Sequence, residues 1–481
     1  MCQVSILDRL RSPALRNIAI YGISTGLAAA LILVQTRVLW RALTPADFGI
    51  WALADPLMLP LACLVLFGID QAIVKQQQAD GKPLPVVVGA LLTATVPATL
   101  LCLLVIGLVA EFAFHLPWTN ALLLTVGGEA LILMMQTAFR STGATVPFAA
   151  LLVSRNLLYL ALLAGVRLVT APVPLSVGTV FTMRGACVIA LSLVAIAALR
   201  PKPRVDWTAY RDAVGYGFPL LITTFIYGVS DMTDRWFLAE FSGVIAVGVY
   251  SLHLKMAAIM AQAIVIPFGL WFPPERFRHI NDPDQGHAFF KRTAAVVALV
   301  CAYLSGCVWL ARDIVLPLIA PGIVASPLVL GCCLGGVTCL ALSHAFNVGL
   351  LQPGHTSKNA YCTAYAVAAT FFAACVLVPL FGMAGAAVSR LAGGVVLVTV
   401  TAVYSYRVTP IAFPFGRIFA CFAAAIAVAW IINQIVPARG VLNVCVALIE
   451  WSVAMACISP ILWIRVPSRG YVMPSAPPSP S

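Results

Sequence analysis

Long apolar runs dominate the chain, separated by short segments that contain charged residues, proline and glycine. A membrane-spanning helix needs about 20 predominantly apolar residues. Fourteen runs reach this length, and we predict a membrane helix in each, numbered crossings 1 to 14. Their centres lie near residues 28, 59, 98, 129, 157, 186, 224, 256, 305, 338, 370, 396, 426 and 452. We expect the first run, residues 17–38, to remain as a membrane helix, because it is longer than a signal-peptide core.

The composition agrees with a membrane protein. Of the 481 residues, 62% are hydrophobic and only 10% are charged. Soluble domains carry about 25% charged residues, so the apolar excess predicts surface that faces lipid. The loops between the runs are short, which excludes a large catalytic ectodomain, a nucleic-acid module and a secreted disulfide scaffold. The fold class that follows is an all-α integral membrane protein.

Cysteine and net charge do not change this interpretation. All 14 cysteines except Cys2 fall inside apolar runs, without metal-site spacing, so we interpret them as small buried residues and predict no metal and no cofactor. The net charge of +12 comes from basic residues scattered between the runs. If the N-terminus is inside, 19 basic residues lie on the inner side and six on the outer side. This bias predicts that both termini are cytoplasmic.

Short repeated strings indicate a duplicated six-helix unit. Residues 48–51 (FGIW) recur as residues 247–250 (VGVY), and residues 138–140 (AFR) recur as residues 345–347 (AFN). Arg184 in crossing 6 has Arg390 in crossing 12 as its counterpart. The offsets stay between 199 and 207 residues. We therefore favour duplication, and the alternative is coincidence among similar apolar helices.

The duplication predicts five regions in the chain. Residues 1–199 form an N-terminal six-helix lobe, residues 200–212 a cytoplasmic linker, and residues 213–407 a second, pseudo-symmetric lobe. Residues 408–465 contain crossings 13 and 14, and residues 466–481 form a disordered tail. Parallel repeats place a transporter's binding site at their mutual interface, so we expect a central cavity between the lobes.

Charged residues inside the first lobe are candidates for function, since each costs about 2.5 to 3.5 kcal/mol at a helix centre. Glu129, Arg155 and Arg184 lie roughly ten residues from a helix end and hence at similar depth, so we expect them to meet in one cavity. One carboxylate cannot neutralise two guanidinium groups. The remaining positive charge suits an anionic passenger such as a phosphate-linked molecule. The alternative is snorkelling or partial exposure to lipid.

Crossings 7 and 8 carry polar faces that are expected to line water together. In crossing 7 the face contains, at i, i+4, i+7 and i+8, Tyr227, Asp231, Asp234 and Arg235. In crossing 8 the small and polar stripe contains Gly248, Ser251, Lys255 and Gln262. The alternative interpretation is that Asp231 or Asp234 neutralises Lys255 as a structural pair.

Four further charged residues complete the candidate set. Asp55 lies in crossing 2, Arg390 in crossing 12, and Arg140 at the inner end of crossing 4. Arg37 lies near the outer end of crossing 1, as Arg235 does in crossing 7. For both of these arginines, anchoring at the membrane surface is the alternative role.

Several strings resemble the bacterial polysaccharide flippases that export lipid-linked repeat units. They are residues 37–49 (RVLWRALTPADFG), 67–70 (FGID), 234–238 (DRWFL), 247–251 (VGVYS), 378–382 (VPLFG) and 385–387 (GAA). These flippases belong to the multidrug, oligosaccharidyl-lipid and polysaccharide exporter superfamily. The resemblance spans crossings 1 to 12.

The resemblance implies two six-helix lobes in a V around a cationic cavity, and an ion-coupled, alternating-access flippase in the bacterial inner membrane rather than an enzyme. The passenger would be an undecaprenyl-diphosphate-linked oligosaccharide for O-antigen or exopolysaccharide assembly. H⁺ or Na⁺ is the candidate coupling ion, and a polysaccharide polymerase and a chain-length regulator are candidate partners. The residues assigned to the substrate passage are Arg37, Arg140, Arg155, Arg184, Arg235, Lys255 and Arg390. Those assigned to ion coupling or charge balance are Asp55, Glu129, Asp231 and Asp234.

Three alternative functions remain. A multidrug exporter or a lipid II flippase of the same superfamily has the same fold, although multidrug exporters usually have twelve helices. A membrane-embedded glycosyltransferase or acyltransferase would need an acidic or histidine group in an outer loop. The only such residues are Asp47, Glu111, His115, Glu240 and Asp313.

Overall fold

The structure is a computed structural model that describes residues 13–78, 81, 83–279, 283–350, 356–436 and 440–462, and all regular elements within these ranges are helices. The predicted disordered tail, residues 466–481, lies outside the described residues. The N-terminal half contains α1 (Pro13–Ala42), α2 (Pro45–Ala54), α3 (Met58–Val65), α4 (Ile69–Gln78), α5 (Leu84–Leu108), α6 (Thr119–Ser141), α7 (Thr145–Thr170) and α8 (Val177–Leu199).

The C-terminal half contains α9 (Trp207–Ser242), α10 (Val244–Met260), α11 (Ile266–His279), α12 (Pro283–Leu310), α13 (Arg312–Ile319), α14 (Pro327–Phe346), α15 (Thr356–Phe381) and α16 (Met383–Val408). Two more helices follow, α17 (Phe415–Ile435) and α18 (Val441–Ile458). Within the described residues, 13 helical segments are long and apolar enough to cross a membrane. The 36-residue α9 takes the place of predicted crossing 7. The predicted all-α architecture is confirmed.

The second crossing is broken in the middle of its length. α2 gives way to a 3-10 turn over Asp55–Leu57 before α3 begins. Pro56 has no backbone N–H to donate, so the regular α-helical ladder cannot continue through it. A second break follows at Phe67 and Gly68, which have φ angles of 51° and 72°. The first break places Asp55 where its side chain can reach several neighbouring helices.

The connection between the halves is shorter than the predicted linker 200–212. α9 begins at Trp207, because the side chain of Asp206 caps the helix by accepting a hydrogen bond from Ala209 N. The preceding segment packs against α5, where Lys202 N donates to Pro85 O at 3.0 Å. Thr93 Oγ1 also donates to Arg204 O at 2.8 Å.

Repeated strings of the two halves pack directly against each other. α2 contacts α10, and a Cβ added to Gly248 would lie 3.4 Å from Gly49 Cα. A Cβ added to Gly49 would lie 1.9 Å from Val244 O. Gly49 and Gly248 occupy the same place in the repeated strings, so equivalent positions of the two halves meet at this contact.

A second close approach between the halves lies at the far end of the broken crossing. A Cβ on Gly68 would lie 2.2 Å from Gly217 O, and a Cβ on Gly217 would lie 2.2 Å from Gly68 O. Between the two ends, a Cβ on Gly228 would meet Pro60 Cγ at 2.0 Å. The halves therefore meet along α2, α3 and α4, and glycine is required where backbones touch.

The last two helices pack on the outside of the C-terminal half. Trp451 Nε1 on α18 donates to Tyr303 O on α12 at 2.9 Å, and the indole ring covers Gly306. Arg312 Nη2 donates to Asn433 Oδ1 on α17 at 2.8 Å. α17 and α18 are therefore attached to one half of the molecule.

We expect Gly217→Ala to lower the thermal unfolding midpoint of the purified protein, because the added methyl group collides with Gly68 O. Overpacking of this kind costs about 1 to 3 kcal/mol. Gly215→Ala is the matched control on the same helix, since a Cβ there meets nothing within 4 Å. Equal midpoints for the two variants in detergent would contradict the close contact between the halves.

Candidate functional site

Five charged side chains form a continuous chain of ion pairs, which we call the bridging network: Arg155, Glu129, Arg184, Asp55 and Lys255. Arg155 Nη2 donates to Glu129 Oε1 at 3.0 Å, and Arg184 Nε donates to the same oxygen at 2.9 Å. Arg184 Nη1 also donates to Asp55 Oδ1. Lys255 Nζ donates to Asp55 Oδ2 at 3.0 Å. The network contains three cations and two carboxylates, which leaves one positive charge unbalanced.

Close packing of α6 against α8 brings Glu129 and Arg184 together. A Cβ on Gly185 would lie 2.9 Å from Thr125 N, and a Cβ on Gly128 would lie 3.2 Å from Gly185 O. Glu129 follows Gly128, and Arg184 precedes Gly185. The side chains of Glu129 and Arg184 are therefore held at ion-pair distance by a contact between helix backbones.

The pair of Asp55 and Lys255 connects the two halves. Asp55 lies at the break of the second crossing, and Lys255 lies 200 residues later on α10. Lys255 Nζ also lies 5.2 Å from the centre of the Trp51 ring. The lysine of the C-terminal half is therefore held by groups of the N-terminal half.

A second group of ion pairs, the Arg390 cluster, lies in the C-terminal half and consists of Arg390, Asp231, Asp234 and Tyr250. Arg390 Nη1 donates to Asp231 Oδ1, and Arg390 Nε donates to Asp234 Oδ2, both at 2.7 Å. Tyr250 Oη donates to Asp234 Oδ2 at 2.5 Å. Asp234 is fully buried, whereas the Asp231 side chain is 47% exposed. The cluster as defined carries one more carboxylate than cation.

Each cluster contains an arginine at an equivalent position of the two halves, but the carboxylates that neutralise these arginines come from different elements. Arg184 and Arg390 are counterparts in the duplication, with one arginine on α8 and the other on α16. The counterpart of Glu129 is Gly336, 207 residues later, and a Cβ on it would lie 3.4 Å from Arg390 Cγ. With no carboxylate available from α14, Arg390 is neutralised by α9.

The structure corrects several expectations about pairing. Glu129, Arg155 and Arg184 meet as predicted, but Asp55 joins them and supplies the second carboxylate. The alternative pairing of Lys255 with Asp231 or Asp234 is wrong, because Lys255 is bonded to Asp55. The depth of each residue along its own helix did not reveal which helices are neighbours.

Three predicted passage residues lie outside both clusters. Arg37 donates to Leu318 O on α13, which is a contact between the halves. Arg140 is exposed at the end of α6. Arg235 is not a surface anchor: it is 7% exposed, and its Nη1 donates to Ala52 O at 3.2 Å.

Four members of the bridging network, Asp55, Arg155, Arg184 and Lys255, line a compact cavity of about 120 Å³. Trp51 and Tyr159 also line it, and both are more than nine-tenths buried. Within the described part of the chain, Trp51 Nε1 and Tyr159 Oη have no hydrogen-bond partner. Buried polar groups are normally hydrogen-bonded, so unsatisfied groups beside a cationic cavity indicate a place for a ligand or water.

Sequence reasoning missed Trp51, Tyr159 and Tyr250. Trp51 and Tyr250 occupy the same place in the repeated strings FGIW and VGVY, 199 residues apart, so the duplication contained a signal for both. Tyr159 has no such signal, since it lies four residues after Arg155 in an apolar helix. Across the described ranges, no group of three His, Cys, Asp or Glu side chains is arranged to hold a metal ion.

Comparison with known proteins identifies the family of this chain. A family model described as polysaccharide biosynthesis protein matches residues 38–320, which include the whole bridging network. The chain belongs to this polysaccharide biosynthesis protein family. No curated protein sequence matches the chain.

Solved structures show that members of two transporter groups have the same fold as this family member. "Lipid II flippase MurJ, inward closed conformation" has a TM-score of 0.68 at 11% identity, over 92% of this chain and 98% of that chain. A MATE multidrug transporter in its outward-facing conformation has a TM-score of 0.55 at 14% identity, over 84% and 97%. An inward-facing MATE structure has a TM-score of 0.56 at 11% identity, over 82% and 98%.

We expect Asp55→Asn and Lys255→Gln to be coupled in stability. Each single change leaves a cation or carboxylate without its partner, whereas the double change removes the pair. Asp55→Asn should lower the unfolding midpoint more, because it also deprives Arg184 of a carboxylate. The double variant should lose less than both single losses together. Additive losses in detergent-purified protein would contradict the contact, and Lys202→Gln, at an exposed lysine, controls for loss of charge alone.

Proposed function

We propose that this protein is a flippase that moves undecaprenyl-diphosphate-linked oligosaccharide units across the bacterial inner membrane, from the inner to the outer face. The units would serve O-antigen or exopolysaccharide assembly. The observation that carries the proposal is the excess positive charge of the bridging network, most of which lines a cavity formed by the N-terminal half together with Lys255 of the C-terminal half. Family membership and the MurJ-like fold support a lipid-linked passenger.

A diphosphate needs such a centre to cross the membrane. Charged groups are costly in hydrocarbon, and their entry requires compensating charge and hydrogen bonds. Arg155, Arg184 and Lys255 offer charge-assisted hydrogen bonds to phosphate oxygens. Trp51 Nε1 and Tyr159 Oη add two neutral donors with no partner in the described residues. The net positive charge disfavours the cationic drugs that a multidrug exporter would move.

The pair of Asp55 and Lys255 links binding to alternating access. An anion that binds Lys255 competes with Asp55 for the ammonium group and so weakens a contact between the halves. A ligand shifts a conformational equilibrium only if it binds the two states differently. Competition for Lys255 supplies that difference, since the lysine has a protein partner while the halves touch here.

Ion coupling is assigned to the C-terminal half. Asp231 is the carboxylate that an ion from water can reach, because Asp234 is fully buried and bonded to Arg390 and Tyr250. H⁺ or Na⁺ is the proposed coupling ion. We further propose cytoplasmic termini, and a polymerase and a chain-length regulator as partners that receive the translocated units.

Cells depleted of the protein should accumulate complete lipid-linked oligosaccharide on the inner face of the membrane. Expression of the wild-type protein should restore lipid-linked oligosaccharide to the outer face. The double variant Arg184→Ala with Arg390→Ala, expressed at the same level, should not restore it. Arg417→Gln is the control, since Arg417 is exposed on α17. Accumulation of the lipid carrier with a truncated oligosaccharide, or with none, would indicate an enzyme instead. An unchanged pool of lipid-linked oligosaccharide would exclude the flippase.

Tyr159→Phe should separate binding from stability. The hydroxyl group has no partner among the described residues, so its removal should leave the unfolding midpoint unchanged. A hydrogen bond to a charged phosphate contributes enough that the affinity for geranyl diphosphate should fall roughly tenfold. Isothermal titration of the detergent-purified protein measures this. Unchanged affinity would remove Tyr159 from the phosphate site.

A further inference from the structure

A second cavity, of about 300 Å³, lies in the C-terminal half between α9, α10, α14, α15 and α16. We call it the C-half cavity. Its walls are mainly small and apolar, and its polar lining comes from Asp231, Arg235, Thr363, Thr370 and Arg390. Apolar walls with a few convergent polar groups are typical of small-molecule sites.

Arg235 is the unexplained residue in this cavity. It is 7% exposed, and the one hydrogen bond of its side chain in the described structure runs from Nη1 to Ala52 O. Its Nε has no hydrogen-bond partner there, and Asp231 interacts with the guanidinium group electrostatically without a direct ion pair in the described structure. A buried guanidinium that lacks partners is costly, so its retention beside a cavity indicates a ligand.

Asp231 offers the complementary group one helical turn away. Its Oδ1 accepts from Arg390, while Oδ2 has no partner in the described residues and the side chain is 47% exposed. Asp231 and Arg235 are four residues apart on α9 and therefore lie on the same face. The cavity thus presents a free donor and a free acceptor side by side.

Charge balance identifies the ligand class. The C-half cavity and its surroundings contain two carboxylates, Asp231 and Asp234, and two cations, Arg235 and Arg390. These four side chains have no net charge, so an anionic ligand would give the C-half cavity a net negative charge. The bridging network, by contrast, has one positive charge that no carboxylate balances. A neutral group that both donates and accepts hydrogen bonds fits the C-half cavity. The hydroxyl groups of a sugar ring have this property.

We propose that the C-half cavity is a glycosyl subsite, in which Arg235 donates to and Asp231 accepts from the hydroxyl groups of one sugar ring. The proposal rests on the proposed function, since it assigns the diphosphate to the bridging network. The two sites are adjacent, because Arg235 is bonded to Ala52 and Trp51 lines the phosphate cavity. A diphosphate and the sugar attached to it are also adjacent, so one substrate spans both halves.

The test compares two probes on the detergent-purified full chain by isothermal titration. One probe is geranyl diphosphate, and the other is geranyl diphosphate linked to glucose, galactose or N-acetylglucosamine. Wild type should bind at least one glycosylated probe more tightly, by about tenfold, as expected for hydrogen bonds to charged groups. Arg235→Gln should remove that preference and leave the affinity for geranyl diphosphate unchanged.

Control variants make the outcomes distinct. Arg184→Gln should weaken both kinds of probe, and Arg417→Gln should weaken neither. Arg235→Lys retains the charge without the planar fork and should lose most of the preference. Equal binding of all probes by wild type would overturn the glycosyl subsite and leave the flippase standing. Equal weakening of all probes by Arg235→Gln would also overturn it, and no binding of any probe would overturn both proposals.

Discussion

Charge in the hydrocarbon core of a membrane must be neutralised by nearby charge, and this requirement organises the centre of the molecule. In the bridging network the two arginines and the two carboxylates of the N-terminal half balance one another, and Lys255 of the C-terminal half brings one further positive charge. Asp55 is shared between Arg184 and Lys255, while Glu129 is shared between Arg155 and Arg184. The ion pairs therefore do more than stabilise one half. They make the electrostatic balance of the site depend on how the halves are arranged.

The two halves carry similar strings, which favour duplication, but their charged residues give them different chemistry. Both retain an arginine at the equivalent position, Arg184 and Arg390. The N-terminal half keeps a glutamate on α6, whereas glycine occupies that place on α14 and the carboxylates come from α9 instead. The bridging network consequently has a surplus of positive charge, which Lys255 brings, whereas the Arg390 cluster is balanced once Arg235 is included. This asymmetry suits a substrate that is anionic at one end and neutral at the other.

Contact between the halves depends on backbone shape as much as on charge. Gly49, Gly68, Gly217 and Gly228 lie where helices approach too closely for a side chain. Buried apolar side chains of both halves, among them Phe48, Leu238 and Val247, also belong to one hydrophobic core. The ion pair of Asp55 with Lys255 adds a contact between the halves that depends on charge.

The apolar runs were sufficient to predict an all-α membrane protein, because hydrophobicity and helix length are local properties of the chain. The repeated strings predict two related halves, and the positive-inside bias predicts cytoplasmic termini. The same reasoning placed Glu129, Arg155 and Arg184 at one depth. Its alternative interpretations paired Lys255 with the wrong helix and anchored Arg235 at the surface, since depth along a helix does not indicate which helices are neighbours. The contact of Lys255 with Asp55, the burial of Arg235 and the unsatisfied groups of Trp51 and Tyr159 all arise from lateral packing, which brings together residues up to 200 positions apart.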